Sequence, residues 1–364
     1  MRLLFDARYI RQGMHDGISR YTVSLLQALR QLQKSNHPQA HDLDLVMLIC
    51  DQKQLRVLPD FEHILLSSPT SIAEPFLALK INRFRPDVLF SPMQTIGSWG
   101  RKYKLVLTLH DLIYYDDPRA PEFLPAPVRW GWRLFHQSYL PQRLLLNRAD
   151  AVVTVSQTSR QQIEQHRLTH QKVEVIPNAP PAVNWQPQAH KPLSTRDKKL
   201  IYMGSFMPYK NVETLLAAMK MLPDYKLHLL SPISLAREAE LAQLAGSNVY
   251  FEHGVSDKKY RQFLAESTAL LTASRNEGYG LPVVEAQAAS CPTVISDIAI
   301  FREIAPHALH CHPDRPQEFA QAVRQLEDKD VRQYICRKAR QDATAYSWQE
   351  SALKLLQLTK NVGE

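Results

Sequence analysis

Short apolar runs alternate with longer stretches of helical period along almost the whole chain, and the alternation restarts once. In the first half the runs fall near Leu3–Phe5, Leu45–Ile49, His63–Leu66, Val88–Phe90, Leu105–Leu109, Val152–Val155 and Val173–Ile176. Helical periods lie between them, near Ser19–Gln33, Ser71–Phe84, Val128–Arg148 and Thr158–His166. The second series has strands at Leu200–Met203, Lys226–Leu230, Val249–Phe251, Ala269–Thr272 and Thr293–Ile295. Its helices are expected near Val212–Leu222, Leu235–Ala245, Lys258–Glu266, Pro282–Ala289 and Pro316–Leu326. Strand–helix alternation of this kind demands parallel sheets with helices on both faces. Two series therefore predict an α/β fold of two Rossmann-like, doubly wound domains. Between them, Pro177 to Thr195 is rich in proline and has no period, which marks a boundary. The expected domains are residues 1–178 and 179–344, with a helical tail at about 345–364 crossing back onto the first. Open parallel sheets bind ligands outside the carboxyl ends of their strands, so chemistry is expected in the loops that follow strands, in a cleft where the domains face each other.

The length of 364 residues suits two cores rather than one. With 45% hydrophobic and 22% charged residues, the chain is ordinarily globular rather than disordered. A net charge of +8 favours anionic partners without choosing among nucleotides, membranes and nucleic acid. No Lys/Arg run is dense enough for a nucleic-acid arm, so nucleic acid is not an expected partner. Cys50, Cys291, Cys311 and Cys336 form no CxxC pair, a pattern of reduced thiols in the cytoplasm. His307, His310, Cys311 and His312 are the one cluster with metal-ligand residue types, and are read as the edge of a strand or loop. At the amino terminus, Asp6 and Arg8 interrupt the apolar stretch too soon for a signal peptide. No apolar run approaches the length of about 18 residues that a membrane span needs.

The most informative string is Glu277-Gly278-Tyr279-Gly280-Leu281-Pro282-Val283-Val284-Glu285, which follows the strand Ala269–Thr272 and opens a helix. Pro282 suits a first helical turn, where its missing N–H costs nothing. Gly278 and Gly280 allow the backbone to approach a ligand, and the unpaired N–H groups of the helix start form an anion site. Glu277 stands at the mouth of the loop and Glu285 about a turn into the helix. The two carboxylates are placed to grip hydroxyls at separate points of one ligand, with phosphates between. Lys210 likewise follows a strand and precedes a helix, where its charge is suited to a diphosphate.

This string resembles the Glu-x7-Glu signature of the family-4 retaining glycosyltransferases, which have the GT-B fold. Tyr202 to Asn211, with Gly204, Ser205 and Lys210, looks like that family's Gly…Lys-Asn loop. Ser296-Asp297-Ile298 with Phe301 to Ile304, Gly17-Ile18-Ser19-Arg20-Tyr21, His110-Asp111, Val155-Ser156 and Ile176-Pro177-Asn178 also match, so the resemblance covers nearly the whole chain. It is strongest to the mannosyltransferase-type branch.

The resemblance implies a nucleotide-sugar site. Lys210 stabilises the departing nucleotide diphosphate and Glu277 holds the donor sugar. Glu285 bonds the ribose, while Gly280 and Leu281 offer backbone N–H groups to the phosphates. Gly17, Gly204, Ser205, Gly278 and Tyr279 complete the donor-binding set, and His110 lies near the donor sugar. Asp111 is expected to fix its loop. Relatives often carry a second basic residue where this chain has Ser205 or Tyr209; Arg275, Arg20 and Arg8 are the candidates to replace it. Asp42-Leu43-Asp44 is a DxD string, a metal-binding pattern in another glycosyltransferase fold, but it precedes a strand and is read as a solvated turn. No metal cofactor is expected. The implied donor is GDP-mannose, with UDP- or dTDP-sugars as alternatives, and the implied acceptor a lipid-linked or lipopolysaccharide glycan. The other reading of the chain is a non-catalytic, basic nucleotide- or nucleic-acid-binding module. Finally, Val128–Arg148 mixes Trp130, Trp132, Phe135 and Tyr139 with four arginines. The pattern suits either a core-packed helix with arginines outward or peripheral contact with an anionic membrane.

Overall fold

The computed structural model describes residues 1–11, 17–119, 126–180 and 198–364. Most of the proline-rich stretch Pro177 to Thr195 therefore lies outside the described residues, as does the loop just before Gly17. The chain divides into two compact units, Met1–Asn178 with Ser347–Glu364, and Ala179–Tyr346. Each is organised around one parallel sheet.

In the first unit the strands are β1 (Arg2–Asp6), β2 (Asp44–Ile49), β3 (Glu62–Leu65), β4 (Val88–Ser91), β5 (Lys104–Thr108), β6 (Ala151–Thr154) and β7 (Val173–Val175). Their spatial order is β3-β2-β1-β4-β5-β6-β7, every pairing parallel. The central strands are apolar on both faces because helices cover both: Leu3, Leu4, Phe5, Val88, Leu89 and Phe90 are fully buried. Helix α1 (Gly17–Lys34) turns Tyr21, Leu25, Leu29 and Leu32 inward at helical spacing. The last helix, α14 (Trp348–Gly363), packs on α1 in this unit. The Ser347 side chain caps it by accepting the Glu350 N–H, and Ser351 donates to the Pro177 carbonyl at 2.8 Å.

Two expectations here are corrected. Ser71–Phe84 is not one helix: Glu74–Phe76 and Asn82–Phe84 are 3₁₀ turns flanking the short α2 (Leu77–Ile81). Pro75 stands in the first of these turns and Pro86 follows the second, leaving room for little regular helix. Val128–Arg148 is likewise broken, into α4 (Ala126–Phe135) and α5 (Leu140–Leu146), with Pro141 starting the second. Nor is it core-packed along its length, since no residue of α4 is buried. The short α3 (Ile113–Asp116) precedes α4, and α6 (Gln157–Gln165) follows β6.

The second unit has β8 (Lys199–Tyr202), β9 (Lys226–Leu229), β10 (Val249–Phe251), β11 (Ala269–Thr272), β12 (Thr293–Ser296) and β13 (Leu309–Cys311), in the all-parallel order β10-β9-β8-β11-β12-β13. The crossovers include α7 (Val212–Met219), α8 (Leu235–Ala242), α9 (Asp257–Glu266), α10 (Leu281–Ala288), α11 (Ala299–Ile304) and α12 (Pro316–Gln325), and α13 (Lys329–Ala343) packs on α10. A buried cluster including Leu200, Leu215, Leu227, Leu271, Phe319 and Val323 joins the sheet to α7 and α12. Neither β13 nor α11 was anticipated as an element. Among the described residues no helix is long and apolar enough to cross a membrane. The sheets are two Rossmann-like α/β layers, and in each the strand order reverses between neighbours: β1 and β4 in one, β8 and β11 in the other.

Candidate active site

The loops after β8 and β11 leave the sheet side by side, because Leu200 pairs with Ala269 and Ile201 with Leu270. This is the switch point where an open parallel sheet forms a crevice. Lys210 sits on the first loop and Glu277 on the second, and the structure brings them into contact. Lys210 Nζ donates to Glu277 Oε1 at 2.5 Å, with side chains only 15% and 11% exposed. The same carboxylate oxygen accepts from Ser274 Oγ at 2.8 Å, and Ser274 Oγ lies 3.0 Å from Thr272 Oγ1. Tyr209 places its ring 5.3 Å from the ammonium. A nearly dry ion pair, a hydroxyl relay and an aromatic face thus converge beyond the carboxyl ends of the two central strands.

The backbone that presents Lys210 is fixed from several sides. Pro208–Lys210 is a 3₁₀ turn, and Asn211 ends it in the left-handed region at φ 52°. Asparagine tolerates that conformation better than most residues. Asn211 is buried and its side-chain amide donates to the Pro313 carbonyl at 2.7 Å. Arg275 ties the two loops through its backbone N–H, which donates to the Tyr209 carbonyl at 2.8 Å. Its guanidinium, half exposed, binds Asp314 at 2.6 Å. Gly204 would not accept a side chain, since a Cβ there would meet the Tyr202 hydroxyl at 2.8 Å. The Gly204 N–H donates to Ser231 Oγ at 3.0 Å, and the Ser205 carbonyl accepts from the Tyr202 hydroxyl at 2.5 Å. These two residues therefore shape the loop through internal bonds. Asn211 is the asparagine of the Lys-Asn loop noted in the sequence, whereas Ser274 and Asp314 were not singled out there. The signal for Ser274 was available, as a small polar residue directly after a buried strand and three before an acid.

Gly280 is the N-cap of α10 at φ 98°, and a Cβ on it would lie 2.6 Å from Phe301 Cε1. Only glycine fits there. Leu281 begins the helix, Pro282 follows in its first turn, and the first intrahelical donor is Val283 N–H to the Gly280 carbonyl at 2.9 Å. The amide groups ahead of it form the positive end of the helix. Glu285, one turn along α10, is buried. Gly278 is buried too. The Tyr279 ring turns inward against Tyr346, 6.2 Å between centroids, and burial raises its hydroxyl pKa well above the ordinary value. Any ligand contact at Tyr279 is thus left to its backbone.

In the first unit His110 follows β5. Its Nε2 lies 2.8 Å from the Pro92 carbonyl, so that nitrogen carries a proton when the bond is made. The ring meets Tyr21 edge-on at 5.1 Å, and Ser159 Oγ donates to the His110 carbonyl. Asp111 accepts the Ile113 N–H at 3.1 Å, which fixes the turn into α3. Gly17 is the first residue of α1 and is exposed. Arg20 lies half-buried on the same helix. Arg8 is withdrawn as a phosphate cation. It is fully buried, and its five N–H groups meet five acceptor atoms on Asp6, Glu74 and the Ser67 carbonyl. The result is a saturated ion network under the switch point of β1 and β4.

Asp44 begins β2 at the amino end of the sheet, and Asp42 pairs with His41 at the surface. The histidine-rich stretch scatters its bonds: His307 to Asp342, His310 to the Ala305 carbonyl, and His312 to the Asp314 N–H. Burial in β13 pushes the Cys311 thiol up to about 12. Among the described residues no three His, Cys, Asp or Glu side chains converge.

Known proteins resemble this chain in both of its halves. The family model described as Glycosyltransferase Family 4 matches residues 15–180, and that described as Glycosyl transferases group 1 matches residues 185–344. The chain is 23% identical over 328 residues to the O-antigen chain mannosyltransferase RfbU of Salmonella typhimurium, covering 85% of this chain and 87% of that protein. It is 32% identical over 133 residues to the serotype-specific mannosyltransferase WbdA of Escherichia coli, covering 34% of this chain and 16% of that protein. Among solved structures, the sucrose-phosphate synthase of Thermosynechococcus elongatus superposes with a TM-score of 0.75 at 17% identity, covering 99% of this chain and 98% of that one. Anabaena HepE in complex with UDP and glucose gives 0.71 at 16%, covering 99% of each.

Proposed function

The chain belongs to the family-4 glycosyltransferases of the GT-B fold, and from that premise we propose that this hexosyltransferase moves mannose from GDP-mannose to a lipid-linked O-antigen or other lipopolysaccharide glycan. The observation that carries the reading is the contact of Lys210 with Glu277 where β8 and β11 part. A fixed ammonium beside a helix start suits a diphosphate. A carboxylate, which only accepts, suits sugar hydroxyls. The relatives named for mannose on O-antigen support the sugar and the glycan class of the acceptor, while GDP as the carrier rests on the family resemblance. The UDP-bound structural neighbours share the fold alone and do not choose the base.

In this reading the donor diphosphate takes Lys210 from Glu277, and Glu277, still held by Ser274, turns its free lone pairs to the sugar. Glu285 binds the ribose. As the bond from the anomeric carbon to phosphate lengthens, charge grows on the leaving oxygens. Lys210 and the N–H groups of Gly280 and Leu281 stabilise it there, in a site with little water to reorganise. The acceptor hydroxyl then joins the same face of the sugar and gives its proton to the leaving phosphate, so configuration is retained. No metal is required, because the lysine and the helix end supply the positive charge. The first unit is assigned the acceptor, with His110 as its contributed side chain. The enzyme would work in the cytoplasm, against the inner face of the cell membrane.

A thermal-shift panel of GDP-, UDP- and dTDP-sugars in EDTA tests this. GDP-mannose is expected to stabilise the chain with or without EDTA, and Glu285→Ala to lose the effect. Stabilisation by a UDP- or dTDP-sugar instead would replace the donor. Stabilisation that disappears with EDTA would overturn metal independence.

A further inference from the structure

The loops that carry Lys210 and Glu277 are tied by more than their ion pair. A second tie runs through Arg275 and uses neither of those side chains. The Arg275 backbone N–H donates to the Tyr209 carbonyl, one residue before Lys210, at 2.8 Å. Its Nη1 lies 3.5 Å from the Pro208 carbonyl. Its Nε and Nη2 both reach Asp314 Oδ1, at 2.8 and 2.6 Å. Asp314 brings in a third loop, the one that follows β13. That loop also holds the far end of the Lys210 turn, because the Asn211 amide donates to the Pro313 carbonyl at 2.7 Å and meets Asp314 Oδ1 at 3.3 Å. The turn from Pro208 to Asn211 is thus gripped at both ends, by a guanidinium from one loop and a carboxylate from another.

The two ties fare differently when a donor arrives. In the reading above, the diphosphate takes Lys210 from Glu277, so their ion pair opens at the moment both residues must be held in place. Keeping a loop ordered costs conformational entropy, and the opened pair no longer offsets it. The Arg275–Asp314 tie meets no such conflict. Both side chains are half exposed, where an ion pair contributes little to the resting fold. A planar guanidinium with several donors is nonetheless suited to span a carboxylate and a nearby carbonyl together. As a second cation for the diphosphate, Arg275 would be opposed by the carboxylate it already serves.

We infer that Arg275 and Asp314, with Asn211, form a clasp that keeps the Lys210 and Glu277 loops in register while a bound donor holds their ion pair open. Arg275 and Asp314 are positioning residues. They act through the backbone at Tyr209 and Asn211 and not by touching the donor. The inference rests on the proposed function for the opening of the pair by a diphosphate, whereas the clasp itself needs no ligand.

Two measurements test it, the first without ligand. Glu277→Ala opens the ion pair as a diphosphate would. In the otherwise wild-type chain, Arg275→Gln should lower the melting temperature by at most about 2–4 °C, the shift for a half-exposed pair. In the Glu277→Ala background the same substitution should lower it by at least about twice as much, because neither tie then backs the other. Equal shifts in the two backgrounds would overturn the clasp. The second measurement follows turnover of GDP-mannose, or of whichever sugar donor stabilises the chain, in Arg275→Gln, Asp314→Asn and the double variant. Here kcat and kcat/KM are expected to fall together, by about tenfold to a hundredfold, as for a slight misplacement of a catalytic group. The double variant should be no slower than the slower single one, since the two residues act as a unit. If Arg275→Gln raises KM alone while Asp314→Asn turns over as wild type, Arg275 is a direct donor contact and the inference fails. It fails equally if both single variants keep wild-type turnover, or if their losses multiply in the double variant. A folded wild-type chain that releases nucleotide from no sugar donor counts against the proposed function instead, and the melting cycle then still decides on the clasp.

Discussion

Replacing Lys210 by Ala removes one half of an ion pair whose side chains are 15% and 11% exposed. Two unit charges 2.5 Å apart attract by about 7 kcal/mol at an effective dielectric constant near 20. Desolvation of both groups takes back most of that, so the intact pair contributes little net stability. Its rupture is another matter, because Glu277 is then left with the Ser274 hydroxyl alone. For a pair that retains a little solvent, the loss is expected at about 2–3 kcal/mol, just below the range for fully buried pairs. In a unit of this size that lowers the melting temperature by about 5–10 °C. Turnover should fall further, by about 10²- to 10³-fold, the usual effect of deleting one group aimed at developing transition-state charge. A second substitution separates the two effects. Glu277→Gln in the Lys210→Ala background neutralises the stranded carboxylate and should restore most of the stability while leaving the enzyme inactive. Thermal denaturation and nucleotide release from the donor, measured on the same four proteins, give the full cycle. A Lys210→Ala variant that melts like wild type and turns over within a few-fold of it would refute this reasoning. So would a double variant that regains turnover.

Gly280→Ala forces a Cβ into a positive-φ backbone and against Phe301. It should cost about 2–4 kcal/mol in stability and most of the activity, checked by denaturant unfolding and turnover. Arg8→Gln strands Asp6 and Glu74 in the interior of the first unit, and should destabilise it by about 3–5 kcal/mol without altering nucleotide affinity in protein that remains folded. Burial lowers the His136 pKa below its ordinary value of about 6.5. Between the folded and unfolded values the unfolded chain binds more protons, so the stability due to a neutral His136 is full above about 6.5 and is lost as pH falls through the folded value. His136→Gln should therefore flatten the acid side of the stability profile, and parallel profiles for the two proteins would contradict the sign.

Both sheets were legible in the sequence because buried parallel strands read as unbroken apolar runs, from Leu3–Phe5 through Thr293–Ile295. β13 escaped notice because it is three residues long and His310 occupies its centre. The break between α4 and α5 hinged on Pro141, whose effect a period count passes over. The motif spacing brought out Lys210 and Glu277, and they meet because the strand order sets their loops side by side, a relation that sequence separation does not display. What could not be read was commitment of charge. Arg8 looks like an available cation until Glu74, 66 residues away, is seen to occupy two of its N–H groups. Arg275 is similarly engaged with Asp314, 39 residues on. The relay from Thr272 through Ser274 to Glu277 is local in sequence, yet hydroxyl direction depends on the packed loop.

The central claim, that Lys210 and Glu277 hold a nucleoside diphosphate sugar for transfer, is tested most directly by following nucleotide release from GDP-mannose in metal-stripped protein. GDP release is expected with and without EDTA, at rates that collapse in folded Lys210→Ala and Glu277→Ala. Folded wild-type protein that releases nucleotide from no sugar donor, or turnover that survives both substitutions, would contradict it.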